Sequence, residues 1–116
     1  MQDAKVKQLF RLFACLNDAR PFYDLAEAAM LQVKDELRED ADPDDIRLCY
    51  YAAALANLCY RQMIAAESVT QTYAGTVAGG RNDTAQCTLA ERLMLAYRKA
   101  AAPLLRDDAF VFQRII

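Results

Sequence analysis

DPDDIRLCYYAAALANLCYR, residues 42–61, decides the fold. It opens with helix-start chemistry. Asp42 can cap, and Pro43 suits the first helical position, where its missing N–H has no partner to lose. Asp44 and Asp45 then put negative charge where the helix dipole favours it. From Leu48 to Tyr60 the stretch is apolar apart from Asn57. Ile46, Cys49, Ala53, Ala56, Tyr60 and Met63 fall on one helical face, and Leu48, Ala52, Leu55, Cys59 and Gln62 on another. A helix that is apolar all round needs neighbours on every side. This one is therefore predicted to run to about Val69 as the centre of a bundle. Ala52, Ala53, Ala54 and Ala56 are small enough to let those neighbours approach closely. Asn57, if buried, must be hydrogen-bonded, because an unpaired buried amide costs about 1–3 kcal/mol. Tyr50, Tyr51 and Tyr60 read as core and core-edge residues. Arg61 either caps a packed face or meets a partner.

Outward from this centre the pattern stays helical. Before it, Val6, Phe10 and Phe13 share one face, with Leu9, Leu12 and Leu16 beside it, predicting a helix from about Asp3 to Leu16. Pro21 marks a second start. Phe22, Ala26, Ala29, Met30, Val33 and Leu37 form its stripe, while Asp24, Glu27, Lys34, Asp35 and Arg38 face outward. After the centre, Asp83 or Thr84 can cap a fourth helix. Its predicted stripe is Leu89, Leu93, Tyr97, Ala100 and Leu104, with Ala90, Met94 and Ala101 alongside. Pro103 should bend or restart it, and Arg106-Asp107-Asp108 should end it. The fold class is all-α: one domain, residues 1–116, with about four helices.

Two segments depart from this pattern. Ser68 to Thr84 holds all three glycines, and Val69, Thr70, Thr72, Tyr73, Thr76 and Val77 favour extended backbone. It is expected to be a long loop, with Tyr73 to Val77 as a short strand or hairpin arm and Gly79-Gly80-Arg81 as a turn. Loops this long are often binding elements. Residues 109–116, AFVFQRII, read as a short extended tail whose apolar surface needs covering by the domain or by a neighbouring subunit. The candidate interaction residues are accordingly Tyr73, Gly75, Val77, Gly79, Gly80, Arg81, Phe110, Phe112, Ile115 and Ile116.

Composition narrows the function. At this length a domain buries about 65% of the surface its unfolded chain exposes, so a core needs no metal or disulfide to support it. The chain has no histidine, which removes Ser-His-Asp triads, Cys-His dyads and His-ligated metals. Cys15, Cys49, Cys59 and Cys87 show no C-x-x-C spacing. They read as buried small hydrophobes in a reducing compartment. Asp44-Asp45 and Asp107-Asp108 read as capping and solvated pairs, not as an acid/base couple. No phosphate-binding glycine motif is present. No catalytic residue, cofactor site, metal site or small-molecule substrate is expected. Fourteen basic residues oppose sixteen acidic ones, and the basic ones are scattered, which argues against nucleic acid. No run approaches the ~18 apolar residues of a membrane span, and no signal peptide is apparent, so the expected compartment is the cytoplasm. Seven acidic residues crowd residues 35–45, with Arg38 alone opposing them. They read as a solvated helix end, turn and helix start. A calcium loop would need a glycine at its bend, and this segment has none.

The hairpin of Phe22 to Leu37, the Asp42-Pro43-Asp44-Asp45-Ile46 start, and Ala52 to Arg61 resembles the head–tail connector family of tailed bacteriophages and prophages. The resemblance covers roughly Phe22 to Ala66. It implies a small helical, non-enzymatic structural protein that forms a homo-oligomer or docks on larger protein partners within the virion. The segments at 68–84 and 109–116 would then reach neighbouring subunits. The alternative function is a cytoplasmic regulatory adaptor that binds a basic partner through residues 35–45.

Overall fold

The computed structural model describes residues 1–72 and 78–106, and the side chains of 1–67 and 84–106. Four α-helices carry the fold: α1 (Asp3–Ala14), α2 (Tyr23–Glu36), α3 (Ile46–Thr72) and α4 (Ala78–Ala101). Helix α3 is the centre, packed against the other three. Residues 51–58 are buried without a break, so the all-round apolar run does what its composition implies. Leu48, Cys49, Tyr51, Ala52, Ala53, Ala54 and Ala56 are fully enclosed.

Helix α1 lays Val6, Leu9, Phe10 and Ala14 onto this core. Phe10 meets the Tyr60 ring edge-on at 6.2 Å. Full burial of a side chain such as Phe10 or Val6 contributes about 1.5–3 kcal/mol. Leu12, expected beside the buried face, is instead 54% exposed, because it points away from α3. Helix α1 ends where Cys15 turns left-handed (φ 56°, ψ 40°). Its N–H bonds to Leu12 O at 3.2 Å, and the Leu16 N–H bonds to Arg11 O at 3.1 Å. That paired closure ordinarily uses glycine, which has no Cβ to crowd the turn. Arg61 settles into its capping role: its guanidinium donates to Ala14 O at 3.0 Å and lies over the Tyr60 ring.

Helix α2 begins through a 3-10 turn, Arg20–Phe22, with Pro21 in its first turn. Asp18 accepts the Arg20 N–H at 3.0 Å and so closes the approach. Ala26, Ala29, Met30 and Val33 form its buried stripe as expected.

The start of α3 lies three residues later than expected. Asp42 to Asp45 form a separate turn, with the Asp45 N–H on Asp42 O at 3.2 Å and the Asp44 N–H on Asp42 Oδ1 at 3.0 Å. Pro43 occupies the second position of that turn, which suits its fixed φ as well as a helix start does. Asp45, not Asp42, caps α3: its carboxylate takes the Arg47 N–H at 2.9 Å.

Helices α3 and α4 form an antiparallel hairpin. Tyr50 stacks on Tyr97 at 5.2 Å, while Asn57 and Arg61 share a cleft with Gln86, Leu89 and Ala90. The helices run to Thr72 and from Ala78, so the expected loop is much shorter and Gly79, Gly80 and Arg81 lie in helical backbone. Intrinsic preference for extended backbone is worth only tenths of a kcal/mol per residue, and glycine in a helix about 1 kcal/mol, so tertiary context routinely overrides both. The expected strand at 73–77 lies outside the described residues. The buried line of α4 is Ala90, Met94, Arg98 and Ala101, one residue round from the expected stripe, and Leu105 beyond the helix is buried as well. Leu89 and Ala100 are exposed, while Leu93, Tyr97 and Leu104 pack partly. Helix α4 ends at Ala101, ahead of the stop expected at Arg106-Asp107-Asp108, and Pro103 lies in a 3-10 turn at Ala102–Leu104.

Candidate functional site

Of the ten candidate interaction residues, Tyr73, Gly75, Val77, Phe110, Phe112, Ile115 and Ile116 lie outside the described residues. The backbone of Gly79, Gly80 and Arg81 forms the start of α4.

The polar centre of the molecule is one the sequence reading did not find. Glu36, at the end of α2, accepts a 2.6 Å hydrogen bond from the Tyr51 hydroxyl of α3. Its other oxygen pairs with the Arg98 guanidinium of α4 at 3.2 Å. The pair is largely desolvated, with side-chain exposures of 7% for Arg98 and 14% for Glu36. Arg98 also lies over the Tyr51 ring, 5.9 Å from its centroid. Burial pushes the Tyr51 phenol far above its ordinary range, and the Glu36 hydrogen bond pushes it the same way. The neutral phenol is therefore a fixed donor. The Glu36 carboxylate thus bridges a phenol of α3 and a guanidinium of α4, so the cluster joins three helices. The available signal was Arg98 itself, a charge four residues beyond Met94 on the line through Ala90 and Ala101.

This cluster sits beside a backbone clasp. Leu37 and Leu105 form an isolated antiparallel bridge. The Arg38 N–H bonds to Leu104 O at 3.0 Å, and the Arg106 N–H bonds to Glu36 O at 2.8 Å. Arg38 Nε adds a 2.7 Å bond to Leu105 O. The chain after α4 is thus held against the end of α2.

Much of the acidic segment is engaged locally. Glu36 is in the cluster, and Asp45 both caps α3 and pairs with the Arg47 side chain at 2.9 Å. The hydrogen bond from that guanidinium, with the one from the Arg47 N–H, holds the Asp45 carboxyl below its ordinary range. Among the described residues no group of His, Cys, Asp or Glu is arranged to hold a metal ion, and no helix is long and apolar enough to cross a membrane. Of the cysteines, Cys49 is buried as expected, Cys59 and Cys87 are half-buried, and Cys15 is exposed at the α1 turn. Burial pushes the Cys59 thiol up, away from the reactive thiolate.

A cleft of about 130 Å³ opens between α1, α3 and α4, lined by Phe13, Asn57, Arg61, Gln86, Leu89, Ala90 and Leu93. Asn57 is buried, but its carboxamide oxygen has no hydrogen-bond partner among the described residues. The hydrogen bond expected of it is therefore not made within the described fold.

No protein-family model matches the chain, and no curated protein or solved structure matches it either.

Proposed function

We propose that this chain is a non-enzymatic assembly protein of the head–tail connector kind, acting by self-association or by docking on larger protein partners in the cytoplasm where virions are built. The observation that carries the reading is the clasp at Leu37 and Leu105. It anchors the chain at Arg106, three residues before the Phe- and Ile-rich stretch 109–116. An apolar stretch that follows a fixed anchor point suits an arm offered to a neighbour. The buried polar cluster supports the same reading, because its groups are spent on joining helices. Local engagement of Glu36 and Asp45 favours assembly over an acidic docking segment.

Sedimentation velocity or mass photometry at micromolar concentration tests the proposal. The expected result is an oligomer that dissociates when residues 109–116 are deleted, or a complex with portal or tail components that is lost on the same deletion. A chain that stays monomeric alone and with those components overturns it.

A further inference from the structure

We propose that the end of α2 is a docking site for a second copy of this chain, whose segment 104–106 takes the place of the chain's own. The inference rests on the self-association reading above and names the surface that receives the neighbour. The contacts of the clasp can pass between copies unchanged. Residues 104–106 offer it backbone groups and one leucine side chain: the Arg106 N–H goes to Glu36 O at 2.8 Å, and Leu104 O takes the Arg38 N–H at 3.0 Å. Leu105 O takes Arg38 Nε at 2.7 Å, and the Leu105 side chain is fully buried. The same segment of a neighbour carries the same groups. The receiving surface, moreover, is built without it. Glu36 is fixed by Tyr51 and Arg98, at 2.6 Å and 3.2 Å, and both residues lie before the point where the segment leaves α4. A departed segment therefore leaves the receiving groups in place.

The hinge permits both paths. Helix α4 stops at Ala101, and across Ala102–Leu104 the chain passes from helical to extended backbone, with Leu105 at φ −100° and ψ 153°. Pro103 prevents α4 from running on, because it has no N–H to donate and its ring meets the carbonyl four residues back. The residue before a proline favours extended backbone over helical, so Ala102 suits an open hinge as well as the closed 3-10 turn. The bond that closes the turn, from the Leu105 N–H to Ala102 O at 3.1 Å, is given up on opening. Exchange re-forms the contacts with residues 36–38 between copies, so its cost is that bond and the freedom lost on association. Reciprocal exchange closes a two-fold dimer, and one-way exchange around several copies closes a ring.

The test traps the exchange covalently. Leu37 and Leu105 face each other as a pair without mutual hydrogen bonds, a geometry that sets Cα atoms about 4.5 Å apart, within disulfide reach. Chains carrying Leu37→Cys and chains carrying Leu105→Cys, both with Cys15→Gly to remove the exposed thiol, are mixed at micromolar concentration and oxidised. Non-reducing electrophoresis and peptide mass spectrometry should find a disulfide between positions 37 and 105 of different chains. Its yield should rise with concentration and stand about tenfold above that from either variant alone. A second variant leaves the buried leucine untouched. Deleting residues 102–103 makes the hinge too short to turn back, and sedimentation velocity should show a shift from monomer to dimer or ring. No cross-link above background, or a shortened chain that stays monomeric, overturns the proposal. A chain carrying both Leu37→Cys and Leu105→Cys, oxidised as a monomer, should no longer assemble. If it assembles like the wild type, this site falls and the assembly reading stands. An exchanged oligomer that survives deletion of residues 109–116 supports this site and overturns the terminal arm.

Discussion

Replacing Arg98 by methionine should be among the most damaging single changes available to this molecule. Methionine roughly preserves the packing volume along α4 but removes the guanidinium 3.2 Å from Glu36. The carboxylate is then left with the Tyr51 hydroxyl, at 2.6 Å, as its sole remaining partner within the cluster. Stripping one member from a buried ion pair typically costs about 3–5 kcal/mol. Residual exposure of Glu36, 14%, lets some water reach the stranded charge and places the expectation near the low end, about 3 kcal/mol. Urea unfolding followed by far-ultraviolet circular dichroism at pH 7 gives the number. With a slope of about 1.5 kcal/mol per molar, the midpoint falls by about 2 M. The reasoning depends on coupling, so the decisive comparison is a double-mutant cycle with Glu36→Gln, which keeps an acceptor for Tyr51. The double variant should lose about 1.5–3 kcal/mol less than the sum of the single losses. Additive losses, or a loss under about 1 kcal/mol for Arg98→Met, would show that both charges are solvated and that the cluster does not join the helices.

Other positions give independent checks. Cys15→Gly should stabilise the chain by about 0.5–1 kcal/mol in the same unfolding assay, because glycine takes the left-handed turn without a Cβ penalty, whereas Cys15→Val should destabilise it. A thiol reagent should label Cys15 within the mixing time and Cys49 only on unfolding, as mass spectrometry of the labelled peptides would report. Asp45→Ala should lower the thermal midpoint while Asp45→Asn largely preserves it, since asparagine also caps. The Asp45 carboxyl is held below its ordinary value of 3.8, so its contribution is present above that pH and is lost as pH falls through the lower folded value. The wild-type minus Asp45→Ala difference should therefore shrink in acid. In an ultraviolet pH titration Tyr51 should ionise only well above the ordinary phenol range, and Tyr51→Phe should remove that late component.

The helices were legible because their cause is local. Period and burial agree along α3, where Leu48 to Tyr60 leave no polar face to assign. They agree along α2, where Ala26, Ala29, Met30 and Val33 form one stripe. The start of α3 was ambiguous because four acidic or proline positions in succession each suit a cap, a turn or a first helical residue. Only the Arg47 N–H, choosing Asp45, separates them. The rotation of α4 was hidden for a related reason. Two adjacent lines of apolar residues have the same spacing, and the one that faces the core carries Arg98, which hydropathy assigns to solvent. What draws it inward is Glu36, a residue of another helix, and no local pattern contains that information. The Asn57 cleft is likewise assembled from three elements, and the sequence offered only the odd polar residue in an apolar run.

The cluster and its clasp also bear on the order in which this chain matures during synthesis. Helices α1, α2 and α3 are synthesised before Arg98 is made. Until then Glu36 and Tyr51 have no guanidinium to meet, and Leu37 has no Leu105 to pair with. A chain stopped before Arg98 therefore lacks the cation that pairs with Glu36. The contacts that tie α2 to α4 and to the chain after it are thus completed only by the last residues of the described fold. A chain truncated within α4 should accordingly open locally at the end of α2 more readily than the full chain, because it lacks the Leu105 and Arg106 backbone bonds.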